Sequence, residues 1–343
     1  MHGNSKYAAA IVSQRRRSSG LCGAMIVLSL LLSGCSIKKV AVNKLGNSLA
    51  NSGTTFSADD DPDLVGEALP FSLKLMESLL AESPKHRGLL FAASSGFTEY
   101  AYIWVQQPAE QIEAEDVERS QALHARARRL YLRARDYGLR GLEVRHPGFA
   151  RRLRENGKAA TLGITAKSDV PLLYWTAASW GLAIANAKDN PDLIADQPLV
   201  EALIDRALAL DGNYDHGAIH GFLISYEPSR QGTQEDFAER CRRHFQQQVE
   251  LTDGQLAAPY VALAEAVSIQ KQDQAEFEAL LKKALAVDAD GRREWRLSNI
   301  VSQRRARWLL SRENELFLPK AGAARKAPVD LSIALHGTWQ EVR

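Results

Sequence analysis

The segment from residue 168 to 227 restricts what this chain can fold into more than any other. Its first part, LLYWTAASWGLAIANAKDNP, places Ala177, Ala178, Gly181 and Ala185 three or four residues apart. At helical spacing these small groups share one side, against which a neighbouring helix can pack closely. Trp175, Trp180 and Ile184 flank that side and supply most of the apolar area. Ser168 and Pro171 open the helix, because a serine oxygen accepts orphan amide protons and proline suits the first turn. A second helix carries Leu199, Leu203, Ala207 and Leu210 along one stripe and stops at Asp211-Gly212. A third begins near Asp215 and carries His220, Phe222, Leu223 and Tyr226.

The same alternation of helix and turn extends in both directions. Helical periodicity predicts further helices over residues 62–82, with a bend at Pro70, and over 85–107, 113–145, 149–156, 234–251, 258–270, 274–287 and 295–317. No stretch alternates with the period of a strand. Four helices end alike, in LLAESP, GLEVRHP, ALALDG and ALAVDA. These endings resemble the second helix of a tetratricopeptide repeat, where a small residue packs inward and a helix breaker follows. The fullest match pairs Tyr260, Leu263 and Ala264 with Phe277, Leu281 and Ala284. The insertion KDNPDLIADQP stretches one unit past the usual length of about 34 residues. The expected fold is therefore all-α: a solenoid or superhelical array of degenerate tetratricopeptide-like helix pairs over residues 62–317. An unrelated helical array is the alternative.

The N-terminus reads as an address. Lys6, Arg15, Arg16 and Arg17 precede a short apolar run from residue 21 to 32, which is too short for a permanent span. Leu32-Ser33-Gly34-Cys35 then forms a lipobox, so residues 1–34 read as a lipoprotein signal peptide and Cys35 as the lipidated first residue. Ser36 resembles the sorting signal of outer-membrane lipoproteins that face the periplasm. Residues 35–61, rich in Asn, Ser, Gly and Thr, read as a lipid-anchored flexible tether, and residues 318–343 as an irregular tail. Residues 1–34 hold four basic and no acidic side chains, so removing them turns the formal charge from +2 to −2. Nothing then argues for a nucleic-acid partner. Of three cysteines, Cys22 leaves with the signal and Cys35 is acylated, so Cys241 reads as an inert half-buried thiol.

Few residues suggest chemistry. His216 and His220 have the four-residue spacing of metal ligands, but no glutamate follows His216 and no third ligand is placed. Nucleophile-elbow, zincin, phosphate-loop and C-x-x-C patterns are missing, so neither an enzyme nor a cofactor is expected. Arg126, Arg129, Arg133 and Arg140 share a face that reads as solvated, opposite a Leu123–Tyr137 stripe. Three aromatic segments remain, holding Tyr100 with Glu99, Trp175 with Trp180, and Tyr226 with His220 and Glu227. Helical aromatics are commonly core; repeated on successive units of a solenoid, these seven residues are also candidates to line one apolar passage with polar groups at its end. One of the two tryptophans is expected to be structural.

Taken in order, LYWTAASWG, AKDNP, LIDRALALD and GAIHGFLISYE, with GFTEYAYIWVQ and the lipobox, resemble the T component of tripartite ATP-independent periplasmic (TRAP) transporters. The resemblance covers about residues 35–317. It implies a lipoprotein that docks the periplasmic solute-binding subunit, binds or passes a small hydrophobic ligand, and forms a homotrimer with a pore in each protomer. A structural envelope scaffold without ligand and a metal-dependent hydrolase are the rival readings.

Overall fold

The computed structural model describes residues 42–48 and 53–319, apart from 165, 231 and 233; Cys35 and the tail from residue 320 lie outside them. Every regular element among the described residues is helical. Ten helices build the body: α1 (Pro62–Glu82), α2 (Arg87–Ala101), α3 (Val117–Glu143), α4 (Val170–Ala185), α5 (Gln197–Leu210), α6 (Tyr214–Tyr226), α7 (Phe237–Leu251), α8 (Ala258–Leu263), α9 (Gln274–Ala286) and α10 (Arg296–Ser311). None of the described helices is long and apolar enough to cross a membrane.

Acidic caps begin several of them. Asp61, Asp116, Asp236 and Asp273 each accept a backbone amide of the following turn, answering donors that would otherwise stay unpaired. Pro62 and Pro171 sit in the first turns of α1 and α4, where a missing N–H costs nothing. Ser168 does not cap α4; its hydroxyl accepts from Arg145. The neighbouring Asp169 is buried and holds Arg87, Arg145 and His146, pinning the start of α4 to the ends of α2 and α3.

Three departures from helical regularity were not expected. α2 continues into a π-helix, Tyr102–Gln106, and α8 into a second, Ala264–Ser268. At the start of α6, Asp215, His216 and Gly217 all adopt the left-handed region, with φ of 45°, 52° and 84°. Only glycine takes that region freely, so the α-helical part of α6 begins at Ala218.

Consecutive helices pack in pairs, and the even-numbered ones also touch the next even one: α2 on α4, α4 on α6, α6 on α8, α8 on α10. An inner layer of even helices results, backed by the odd ones. The small-residue side of α4 receives α6: at Gly181 a Cβ would stand 3.1 Å from Cζ of Phe222 and 3.4 Å from Tyr226. It is aromatic side chains that come close here, not a backbone. A first core surrounds Trp180, Tyr131 and Phe149 among α3, α4 and α5; a second surrounds Phe277 and Cys241 among α7 to α10. Cys241 is enclosed, and burial pushes its thiol up to about 12, as befits an unreactive packing residue.

In an open repeat array each unit meets only its neighbours. Here the last helix returns to the first: Val65 of α1 packs with Leu297 and Val301 of α10, and Arg304 pairs with Asp63 at 2.9 Å. The ion pair is exposed and contributes about 0–1 kcal/mol. Burying Val65 contributes about 1.5–3 kcal/mol, so the apolar contact holds the closure. Part of the expected tether joins in. The helix Gly53–Ser57 packs on α10, and residues 42–48 are helical, with Asn43 bonded to Ser83 at 2.9 Å.

Candidate functional site

The inner layer carries a group of side chains that touch water while sitting deep in the protein. Glu99 near the end of α2 has accessible surface, yet burial pushes its carboxyl up to about 7, with Asp215 adding like charge. Tyr102, one turn on, is 37 % exposed, and its phenol is likewise raised by burial. A side chain that is reached by water yet surrounded by protein lines a concave recess open to solvent. Asp215, also raised by burial, faces the same space from the start of α6.

Aromatic rings wall one side of the recess. Tyr174 of α4 stands edge-on to Trp175 at 4.9 Å and tilted to Tyr214 at 5.7 Å. Tyr174 and Tyr214 both feel the charges of Asp215 and Glu99. On the other side, Arg305 of α10 meets Glu265 of the second π-helix at 2.6 Å and Glu110 at 2.6 Å, with its guanidinium 4.2 Å over the Trp308 ring. Burial pushes the Glu265 carboxyl up, against the pull of Arg305. Both π-helices thus deliver a side chain, Tyr102 and Glu265, to this one place. The extra residue in a π turn re-aims side chains relative to an α-helix, a device common at functional sites.

The seven residues expected to line a passage divide. Glu99 and Trp175 reach the recess. Trp180 does not: it is 0 % exposed, clamped between the guanidinium groups of Arg135 at 4.9 Å and Arg154 at 5.6 Å. Tyr100 stacks on Trp104 at 5.9 Å and accepts from Arg126 of α3, so it belongs to the seam between inner and outer layers. Tyr226 is buried against Phe222 at 5.2 Å and Arg230 at 5.9 Å. Glu227, 3 % exposed, is held by Arg240 at 2.5 Å, Arg230 at 3.3 Å and His244 at 3.8 Å. Burial opposes its ionisation, but these partners prevail and bring its carboxyl down to about 2. The helix between Asp215 and this network is roughly 12 Å long, so Tyr226 and Glu227 lie at the far end of α6 from the recess.

The two histidines part as well. His216 stands edge-on to Trp295 at 5.1 Å, while Nδ1 of His220 lies 2.8 Å from Nδ1 of His244. They face different neighbours, which separates them as ligands for one ion; among the described residues no group of metal-ligating side chains gathers. Desolvation and the facing His244 bring His220 down to about 4. The arginine face of α3 is solvated as expected, with Arg126, Arg129, Arg133 and Arg140 all exposed, while Arg133 also lies over Phe97 and Arg140 over Tyr137. Sequence reasoning missed Tyr174, Tyr214, Asp215, Glu265 and Arg305. Gly217 was the one sequence signal that the chain turns sharply beside Asp215.

The described residues thus form an all-α, two-layer body with a recess reached by water. The family model described as "TRAP transporter T-component" matches residues 58–317, and the chain belongs to that family. The chain is also similar to a protein of Treponema pallidum (strain Nichols), itself described as uncharacterized, with 29% identity over 306 residues, covering 84% of this chain and 95% of the relative. The family is a transporter component, so this protein has an accessory role in TRAP transport and association with TRAP partners.

Proposed function

We propose that this protein is a lipid-anchored periplasmic subunit that docks the solute-binding protein of its TRAP transporter and takes a small ligand into the recess of the inner layer. The observation that supports this is the aromatic-walled recess where Glu99, Tyr174 and Asp215 act on one another. Ligand sites are concave and mostly apolar, with a few convergent polar groups. The recess has that composition, and it opens among the helices that form the inner face. The anchor is Cys35, at the head of a chain of which residues 53–57 are held at the seam between first and last helices. Assembly as a homotrimer and an outer-membrane location facing the periplasm belong to the same proposal.

The test is native mass spectrometry of the protein purified from its own envelope, with and without cross-linking to the solute-binding subunit. A co-purifying small molecule that is lost in Trp175→Ala while the cross-link persists is the expected result. A protein that carries no ligand and cross-links to nothing of the transporter would leave the envelope-scaffold reading in its place. Labelling with palmitate, abolished in Cys35→Ala, checks the anchor separately.

A further inference from the structure

The two acids of the recess have no cation. Among the described residues, no ion pair or hydrogen bond joins Glu99 or Asp215 to a lysine or arginine, although the chain pairs its acids freely elsewhere. His216, adjoining Asp215, is the one basic group that acts on either of them. A second observation points into the same space. Tyr174 is only 9 % exposed, its phenol has no hydrogen-bond partner, and the charges acting on it are those of Tyr214, Asp215 and Glu99. A phenol without a protein partner thus stands beside two carboxylates that no lysine or arginine pairs. Around them stand the faces and edges of Tyr174, Trp175 and Tyr214, within 4.9–5.7 Å of one another.

Resting on the reading of the recess as a ligand site, we infer that its ligand is an organic cation: an alkyl- or arylammonium whose charged head lies between Glu99 and Asp215 against the Tyr174–Trp175–Tyr214 rings. Each element fits that chemistry. A carboxylate pair in a desolvated space gains most from an incoming positive charge. Aromatic faces attract ammonium through their quadrupole and accept its alkyl groups as apolar surface. A hard divalent ion fits worse, because it calls for six or more oxygen ligands and the ring faces supply none. An anionic ligand would add a third negative charge beside Glu99 and Asp215, on neither of which a lysine or arginine acts.

The experiment is isothermal titration of the purified full chain with three probes of one shape: 4-phenylbutylammonium, 4-phenylbutyrate and 4-phenylbutanol. The ammonium is expected to bind at least tenfold more tightly than the carboxylate, about 1.4 kcal/mol. Glu99→Gln and Asp215→Asn should each weaken the ammonium at least tenfold and leave the alcohol unchanged. Asparagine tolerates the left-handed backbone of position 215, so the second variant keeps the fold. If the carboxylate binds as tightly as the ammonium, or neither variant weakens it, the cation assignment is wrong. Binding of the alcohol that is lost in Trp175→Ala would then still leave the recess as a ligand site. If none of the three probes binds, both readings fall together.

Discussion

Glu99 and Glu227 are two carboxylates whose acidity the fold shifts in opposite directions. Glu227 meets Arg240, Arg230 and His244 and is brought down to about 2. Glu99 is pushed up to about 7 by the protein around it, with the charge of Asp215 added. The surrounding protein opposes ionisation at both; at Glu227 the cationic partners overcome it, and at Glu99 no cation does. Where the fold needs rigidity, at the junction of α6 and α7, every charge is answered. At Glu99 and Asp215 no lysine or arginine answers the charge, which is the ground for the ligand site proposed there.

The sharpest way to break the comparison is Glu227→Ala. It removes the carboxylate that holds the buried guanidinium of Arg240, while Arg230 keeps Asp205 at 2.9 Å, and should cost about 4 kcal/mol of stability, read as a lower melting temperature. The parent protein should also show a matching pH dependence. Because the folded-state pKa of Glu227 lies below its ordinary 4.5, its stabilisation is complete above that value and is lost as pH falls toward 2. A variant as stable as the parent would mean the network is solvated, and the contrast with Glu99 would vanish.

A smaller effect separates the two tryptophans. Trp180→Ala empties an enclosed site and should cost about 3 kcal/mol, the low end for such a truncation, because Arg135 and Arg154 can settle into part of the void. Trp175→Ala, at the wall of the recess, should cost about 1 kcal/mol. Equal losses in urea unfolding would place Trp175 in the core.

The smallest expected change is a gain. Glu99 has a raised folded-state pKa, so it weakens the fold progressively as pH rises from about 4.5 to about 7, and by a constant amount above. Glu99→Gln should match the parent at acid pH and exceed it slightly at pH 8, provided no ligand is bound. A variant less stable than the parent at pH 8 would show that the charge of Glu99 is answered after all.

The helices could be read from the chain because their signals are local. Aspartate caps, proline in first turns and the repeated endings each act within a few residues, and the predicted limits of α1 and of the short helix Phe149–Asn156 agree with the structure. The recess was less legible. Trp175 and Trp180 stand five residues apart, about 140° around a helix, so one segment supplied both a wall residue and a core residue, and composition alone does not divide them. The π-helices that aim Tyr102 and Glu265 leave no mark of propensity. The contact between α1 and α10 joins residues 241 positions apart, which no local pattern encodes.

That contact between the first and last helices bears on how the protein comes apart. A linear stack of repeats has two loose ends and frays from them, so its melting is gradual and position-dependent. Joining Val65 to Leu297 and Val301 ties the first helix of the body to the last, so releasing either one breaks a second interface as well. Cooperativity is thus imposed by topology: a chain of weakly matched units is made to unfold as one body, in a single transition.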